Sequence, residues 1–149
     1  MYKHILVPLD GSHLAERALE PAFVVAEKFG ADLTLLRVMV VEETMAVAAG
    51  NGPQFLKLND LREARERVES EDYLHAIRGH WQTTGVRIAT QVTFGAPPEM
   101  IVQVANQMNA DLIVMSTHGR SGLNRFLYGS VAEAVLRGTQ LPLLLIPVK

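Results

Sequence analysis

The chain's strongest constraint is an alternation. Short apolar runs take turns with longer segments whose apolar residues recur every three or four positions. The runs begin at Lys3–Pro8, with Ile5, Leu6 and Val7 in a row, and return at Asp32–Val41, Asp111–Met115 and Leu143–Val148. Runs that are continuous rather than alternating suit strands buried on both faces, as in parallel sheets. A further run, Val86–Phe94, alternates strictly (Val86, Ile88, Thr90, Val92, Phe94) and reads as a half-exposed strand at an edge. Between the runs the helical period appears three times: Leu14, Ala18, Ala22, Val25 and Phe29; Leu74, Ile77 and Trp81; and Ile101, Val104, Ala105 and Met108. A fourth helix, starting at Ser130, precedes the last strand. Strand, helix, strand, helix repeated in this way specifies an α/β fold: a five-stranded parallel, doubly wound sheet with helices on both faces. At 149 residues the chain is expected to form one domain, 1–149.

The local signals set the boundaries. Ser12 is a candidate N-cap for the first helix, Gly30 ends it, and Pro21 inside it predicts a bend. Gly50-Asn51-Gly52-Pro53 is a breaker cluster, and Glu42 to Leu58 reads as a long surface loop. The next helix is expected from Asp60 to about Thr83. Its mixed charges suit a solvated face with i,i+4 pairs, while Leu61 and Val68 fall out of phase with Leu74, Ile77 and Trp81. The third helix is expected from Glu99 to Asn109, and the fourth to end near Gly138.

The most informative segment follows the fourth strand: Met115-Ser116-Thr117-His118-Gly119-Arg120-Ser121-Gly122, running on to Gly129-Ser130. Ser130-Val131-Ala132-Glu133 has the form of a capping box. The order is thus strand, glycine-rich loop, helix start. Free N–H groups and a partial positive charge gather at a helix start, and glycines admit a ligand close to the backbone. No carboxylate lies between Asp111 and Glu133, whereas His118, Arg120 and Arg125 do, which suits a phosphate. The plain alternative is a polar loop whose glycines serve turn geometry. The segment is neither a Walker A loop nor a dinucleotide fingerprint. In doubly wound sheets ligands bind beyond the carboxyl ends of the strands where the winding reverses. If the first and fourth strands are neighbours there, Asp10 and the 116–130 segment face one crevice.

Composition excludes several classes. A net charge of −2 without a basic stripe argues against nucleic-acid binding. The absence of cysteine rules out disulfides and thiol chemistry and fits a cytoplasmic location. No apolar run reaches the roughly 18 residues of a membrane span, and the start of the chain lacks the shape of a signal peptide. The five histidines show no metal-ligand spacing, so no protein-bound metal is expected.

Ile5-Leu6-Val7-Pro8-Leu9-Asp10-Gly11-Ser12, together with Met115-Ser116-Thr117-His118-Gly119, nine residues and Gly129-Ser130, resembles the universal stress protein family along the whole chain. That family's nucleotide loop is Gly, two residues, Gly, nine residues, then Gly with Ser or Thr. Gly119, Gly129 and Ser130 match; Ser116 stands where the first glycine would be. The resemblance implies an adenine-nucleotide alpha-hydrolase-like fold and a bound ATP or AMP, with magnesium carried on the phosphates. It places Pro8, Leu9 and Asp10 at the base or ribose, Val38 beside the adenine, and Met115 and Ser116 along the ribose. Gly119 and Arg120, in a segment that also holds His118, approach the phosphates, and Gly129, Ser130 and Val131 close on them. Simpler roles stand beside these: Asp10 as a turn residue, His118 and Arg120 as surface groups, Val38 and Met115 as core. The resemblance also implies a homodimer through Leu143–Val148. The expected function is a nucleotide-binding stress-response or regulatory switch, not a fast enzyme, because no general base or second catalytic carboxylate accompanies the loop. The alternatives are a dimeric interaction or chaperone-like protein that ignores nucleotide and, less in keeping with the short Asp10–His13 turn, an ATP-cleaving enzyme.

Overall fold

The computed structural model describes residues 1–40, 53–82, 85–117 and 129–148. Five parallel strands form one sheet in the order β3-β2-β1-β4-β5. They are β1 (His4–Leu9), β2 (Asp32–Met39), β3 (Ile88–Phe94), β4 (Leu112–Ser116) and β5 (Leu143–Ile146). The central strand β1 pairs with β2 on one side, Val7 opposite Leu35, and with β4 on the other, Leu6 opposite Ile113. Its continuous apolar run is explained by helices on both faces. Ile5, Val7 and Leu9 point into a core with Leu33, Leu35 and Val114, whereas Leu6 points the other way with Leu36, Val38 and Ile113. Each such fully buried side chain contributes about 1.5–3 kcal/mol.

On the first face lie α1 (His13–Glu16), α2 (Leu19–Phe29) and α3 (Pro53–Trp81); on the second lie α4 (Pro97–Gln107) and α5 (Ser130–Gly138). The chain winds outward from β1 through β2 to β3 with its helices on one face. It then crosses back to β4 and β5 with helices on the other. The reversal falls between β1 and β4, which meets the condition for Asp10 and Ser116 to end at one crevice.

Strand and helix ends shift by one to three residues at several places, β2 ending at Met39, β3 starting at Ile88 and α4 running Pro97–Gln107, and four features differ more. The first helix is two helices. Pro21 lies at the third position of α2, where a missing N–H forfeits no helical bond. In a continuous helix its ring would meet the Arg17 carbonyl, so the chain breaks at Arg17–Ala18 instead of bending. The buried stripe consequently runs through Ala15, Leu19, Ala22, Phe23 and Ala26, and Phe29 sits at the rim, edge-on to Tyr2. The helix expected from Asp60 begins at Pro53, so 53–58 is helical rather than loop, and the remainder of that expected loop lies outside the described residues. The breaker cluster contains a helix start, because proline's fixed φ suits the first helical position.

The capping box does not form. The N-cap of α5 is Gly129, Ser130 is already helical, and the Glu133 carboxylate accepts from Arg137 at 2.7 Å instead of reaching back. Finally, β5 is shorter than expected, four half-buried residues at a sheet edge. The opposite edge is β3, as its alternation predicts.

Candidate functional site

At the carboxyl ends of β1, β2 and β4 the reversal opens a cavity of about 710 Å³. That falls within the range of small-molecule sites. Every predicted site residue that the structure describes lines it: Pro8, Leu9, Asp10, Val38, Met115, Ser116, Gly129, Ser130 and Val131. His118, Gly119 and Arg120 lie outside the described residues.

Local bonds fix the floor. Asp10 Oδ1 accepts from the Ser12 N–H at 2.9 Å and from the Ser12 hydroxyl at 2.6 Å, and Ser12 Oγ accepts from the Ala15 N–H at 3.1 Å. Asp10 therefore does organise the turn into α1, and it also faces the cavity. Ser116 ends β4 opposite Ile146 and is buried. The next residue, Thr117, continues the pairing with β5 through its N–H to the Ile146 carbonyl at 3.0 Å. The Thr117 carbonyl accepts the Gly129 N–H. This bond holds the start of α5 over the end of β4, so Gly129–Val131 and Ser116 border the same space. No side chain among the described residues caps α5, and its first residues, Gly129 to Ala132, line the cavity.

The cavity has two unlike walls. On the α4/α5 face, Val38, Pro97, Ile101, Met115 and Ala132 make an apolar slot. On the α1/α3 face, Arg37, Arg62, Glu66, Glu69, Ser70 and Tyr73 make a polar one. Sequence reasoning missed the second wall. A helix of 29 residues is about 43 Å long, against about 26 Å for the eight residues of β2. The C-terminal part of α3 packs Leu74, Ile77 and Trp81 on the sheet, Trp81 stacked on Phe23 at 4.3 Å. The part before it lines the cavity beyond the strands with polar residues. That leaves Leu58, Leu61 and Val68 exposed, which explains the change of phase in its apolar pattern. This phase change was the available signal.

Charges on the polar wall are largely engaged. Arg62 Nε donates to Glu66 at 3.0 Å and Arg65 Nε to Glu69 at 2.9 Å. The Tyr73 hydroxyl donates to Glu16 Oε1 at 3.0 Å. Burial pushes the Tyr73 pKa well up, the Glu16 bond and the negative charges of Glu16 and Asp10 add to this, and Arg37 opposes it. Tyr73 is thus a neutral donor throughout the physiological range. No three His, Asp or Glu side chains among the described residues converge as a metal set. No described helix is long and apolar enough to cross a membrane.

The chain is similar to proteins of a known family. Residues 1–147 match the profile of the universal stress protein family. Universal stress protein MJ0531 of Methanocaldococcus jannaschii is 34% identical over 146 residues, 98% of this chain and 82% of its own length. Among solved structures, hypothetical protein MJ0577 superposes with a TM-score of 0.82 at 27% identity, covering 100% of this chain and 98% of its own. Two more distant structures share the fold. One is a universal stress protein in complex with cAMP (TM-score 0.71, 23% identity, 99% and 98% covered). The other is a family protein from Arabidopsis thaliana with AMP bound (TM-score 0.67, 17% identity, 99% and 92% covered). The sheet order, the site at its reversal and the match along nearly the whole chain lead to one conclusion: this protein belongs to the universal stress protein family.

Proposed function

We propose that the cavity binds an adenine nucleotide, ATP or AMP, and that the protein works as a nucleotide-dependent regulatory switch in stress response. The observation that carries this reading is the pairing of opposite chemistries across one cavity: a helix start at α5 that no described side chain caps, and an apolar slot beside Val38 and Ile101. The amides of Ser130 and Val131 replace water around a phosphate, and the close backbone at Gly129 admits it. The slot takes the face of a purine, Asp10 accepts from the sugar or base, and the backbone at Pro8 and Leu9 with Met115 and Ser116 lines the passage between them. The family resemblance assigns His118, Gly119 and Arg120, which lie outside the described residues, to the phosphate side. The cAMP and AMP carried by two structures of this fold make adenine nucleotides the first ligands to test.

Magnesium would travel with the phosphates of ATP. Among the described residues the carboxylates that line the cavity are Asp10, bonded to Ser12, and Glu66 and Glu69, bonded to arginines. Hydrolysis is accordingly slow or absent, none of these three being set up as a general base. Calorimetric titration with ATP and AMP tests the reading. Binding with a thermal shift supports it; no heat and no shift at millimolar nucleotide removes it.

A second reading rests on Ser116. Its side chain borders the cavity where the family's loop pattern has glycine, and the half-buried edge strand β5 invites pairing with a second copy. On that reading the protein is a homodimeric interaction module that acts without nucleotide. Excess absorbance at 260 nm in the purified protein would count against it.

A further inference from the structure

The polar wall contributed by α3 holds one group whose bonding capacity is unused. Ser70 is 8% exposed and lines the cavity, yet its hydroxyl makes no hydrogen bond among the described residues. Its neighbours differ: Glu66 and Glu69 are held by arginines, and the Tyr73 hydroxyl is committed to Glu16. No fully enclosed side-chain oxygen or nitrogen among the described residues lacks a partner, so the Ser70 hydroxyl opens onto the cavity itself. A buried hydroxyl facing a ligand space without a partner is costly when the site is filled by an apolar group and favourable when it meets a heteroatom. A serine inside a helix usually points to solvent or bonds back to the preceding turn; this one does neither.

The walls decide which part of a ligand it meets. Phosphates belong at the start of α5, on the β4 side. The nucleoside part then extends toward β2 and α3, with one ring face against the apolar slot. Its heteroatoms find no side-chain donor on that slot and must turn to the opposite wall. We infer that Ser70 is a specificity-determining residue, its hydroxyl hydrogen-bonding the base or sugar of the bound nucleotide and not its phosphates. The inference rests on the nucleotide reading above and adds to it a recognition element from α3.

The test is calorimetric titration of wild type, Ser70→Ala and Leu61→Ala with AMP, ATP, IMP and 2′-deoxy-AMP. Alanine is the strongest helix former, so Ser70→Ala keeps α3 intact, which a thermal melt verifies. Leu61 lies on the exposed side of the same helix and its variant should match wild type. The expected result is a loss of about three- to tenfold for Ser70→Ala, equal for AMP and ATP. A contact to the base removes the discrimination between AMP and IMP, and a contact to the sugar removes that between AMP and 2′-deoxy-AMP. Unchanged AMP affinity in Ser70→Ala, or a loss that differs between AMP and ATP, overturns the inference and leaves the nucleotide reading standing. Absence of binding by wild type overturns both.

Discussion

Asp10 has two roles that a pair of substitutions separates. Its Oδ1 accepts two bonds from Ser12, and Ser12 in turn caps α1. Asp10→Ala removes both bonds. For a partly buried carboxylate acceptor the combined loss is about 1–2 kcal/mol. In a domain of this size that lowers the melting temperature by about 2–8 °C. Asp10→Asn keeps an oxygen in the Oδ1 position, so the turn survives and stability should stay within about 0.5 kcal/mol of wild type. It removes the charge, however, and a charge-assisted bond to a ligand hydroxyl or base is worth about 1.5–3 kcal/mol. AMP affinity should therefore fall by about ten- to a hundredfold in a protein that melts normally. Thermal denaturation and calorimetry on the two variants measure both effects. AMP binding by Asp10→Asn equal to wild type would refute the ligand role and leave Asp10 as a turn residue. A melt as low as that of Asp10→Ala would refute the separation itself.

Three further outcomes follow from the geometry. Trp81→Ala removes the ring stacked on Phe23 where α3 meets α2, and should cost about 2–4 kcal/mol in urea denaturation without altering the denaturant slope. Asp111→Ala strips the carboxylate that accepts from the Lys3 N–H at 2.9 and 3.1 Å and from the His4 N–H at 3.3 Å. It should cost about 1 kcal/mol, and the amides of Lys3 and His4 should exchange with solvent faster than those in the middle of β1. The third concerns alkaline pH. Because the native Tyr73 pKa is raised, its contribution is complete below the ordinary value of about 10 and is lost as pH climbs from there toward the native value. Wild type should lose about 1 kcal/mol or less relative to Tyr73→Phe between pH 9.5 and 11, since the ring is partly exposed. Parallel stability curves for the two proteins would contradict this.

Most strands were legible because burial on two faces writes itself as unbroken apolar runs, as in Ile5–Val7 and Leu112–Met115, and because the edge strand β3 alternates; β5 kept an unbroken run although it is a half-buried edge strand. The start of α3 was missed by seven residues, because Pro53 closes a cluster that signals a break. The start of α5 at Ser130 was legible, but its N-cap was placed one residue late: the cap is Gly129, whose N–H is bonded to the Thr117 carbonyl. The β1, β4 and α5 parts of the site were legible, since strand ends and glycines mark them. The α3 wall was not. A helix that lines a polar cavity carries the same residue types as one that faces water, and Arg62, Glu66 and Glu69 read as a solvated face until α3 is seen to outrun the sheet. Only the displaced Leu61 and Val68 hinted at it.

The central claim is that the reversal between β1 and β4 seats a nucleotide, phosphates at the start of α5 and base toward β2. Titrating isotope-labelled protein with AMP while recording amide chemical shifts tests it most directly. The account predicts saturable shifts at Asp10, Val38, Ser116, Gly129, Ser130 and Val131, and none at Glu99, Gln103 and Asn106 on the far side of α4. Shifts confined to other surfaces, or none at millimolar AMP, would contradict it.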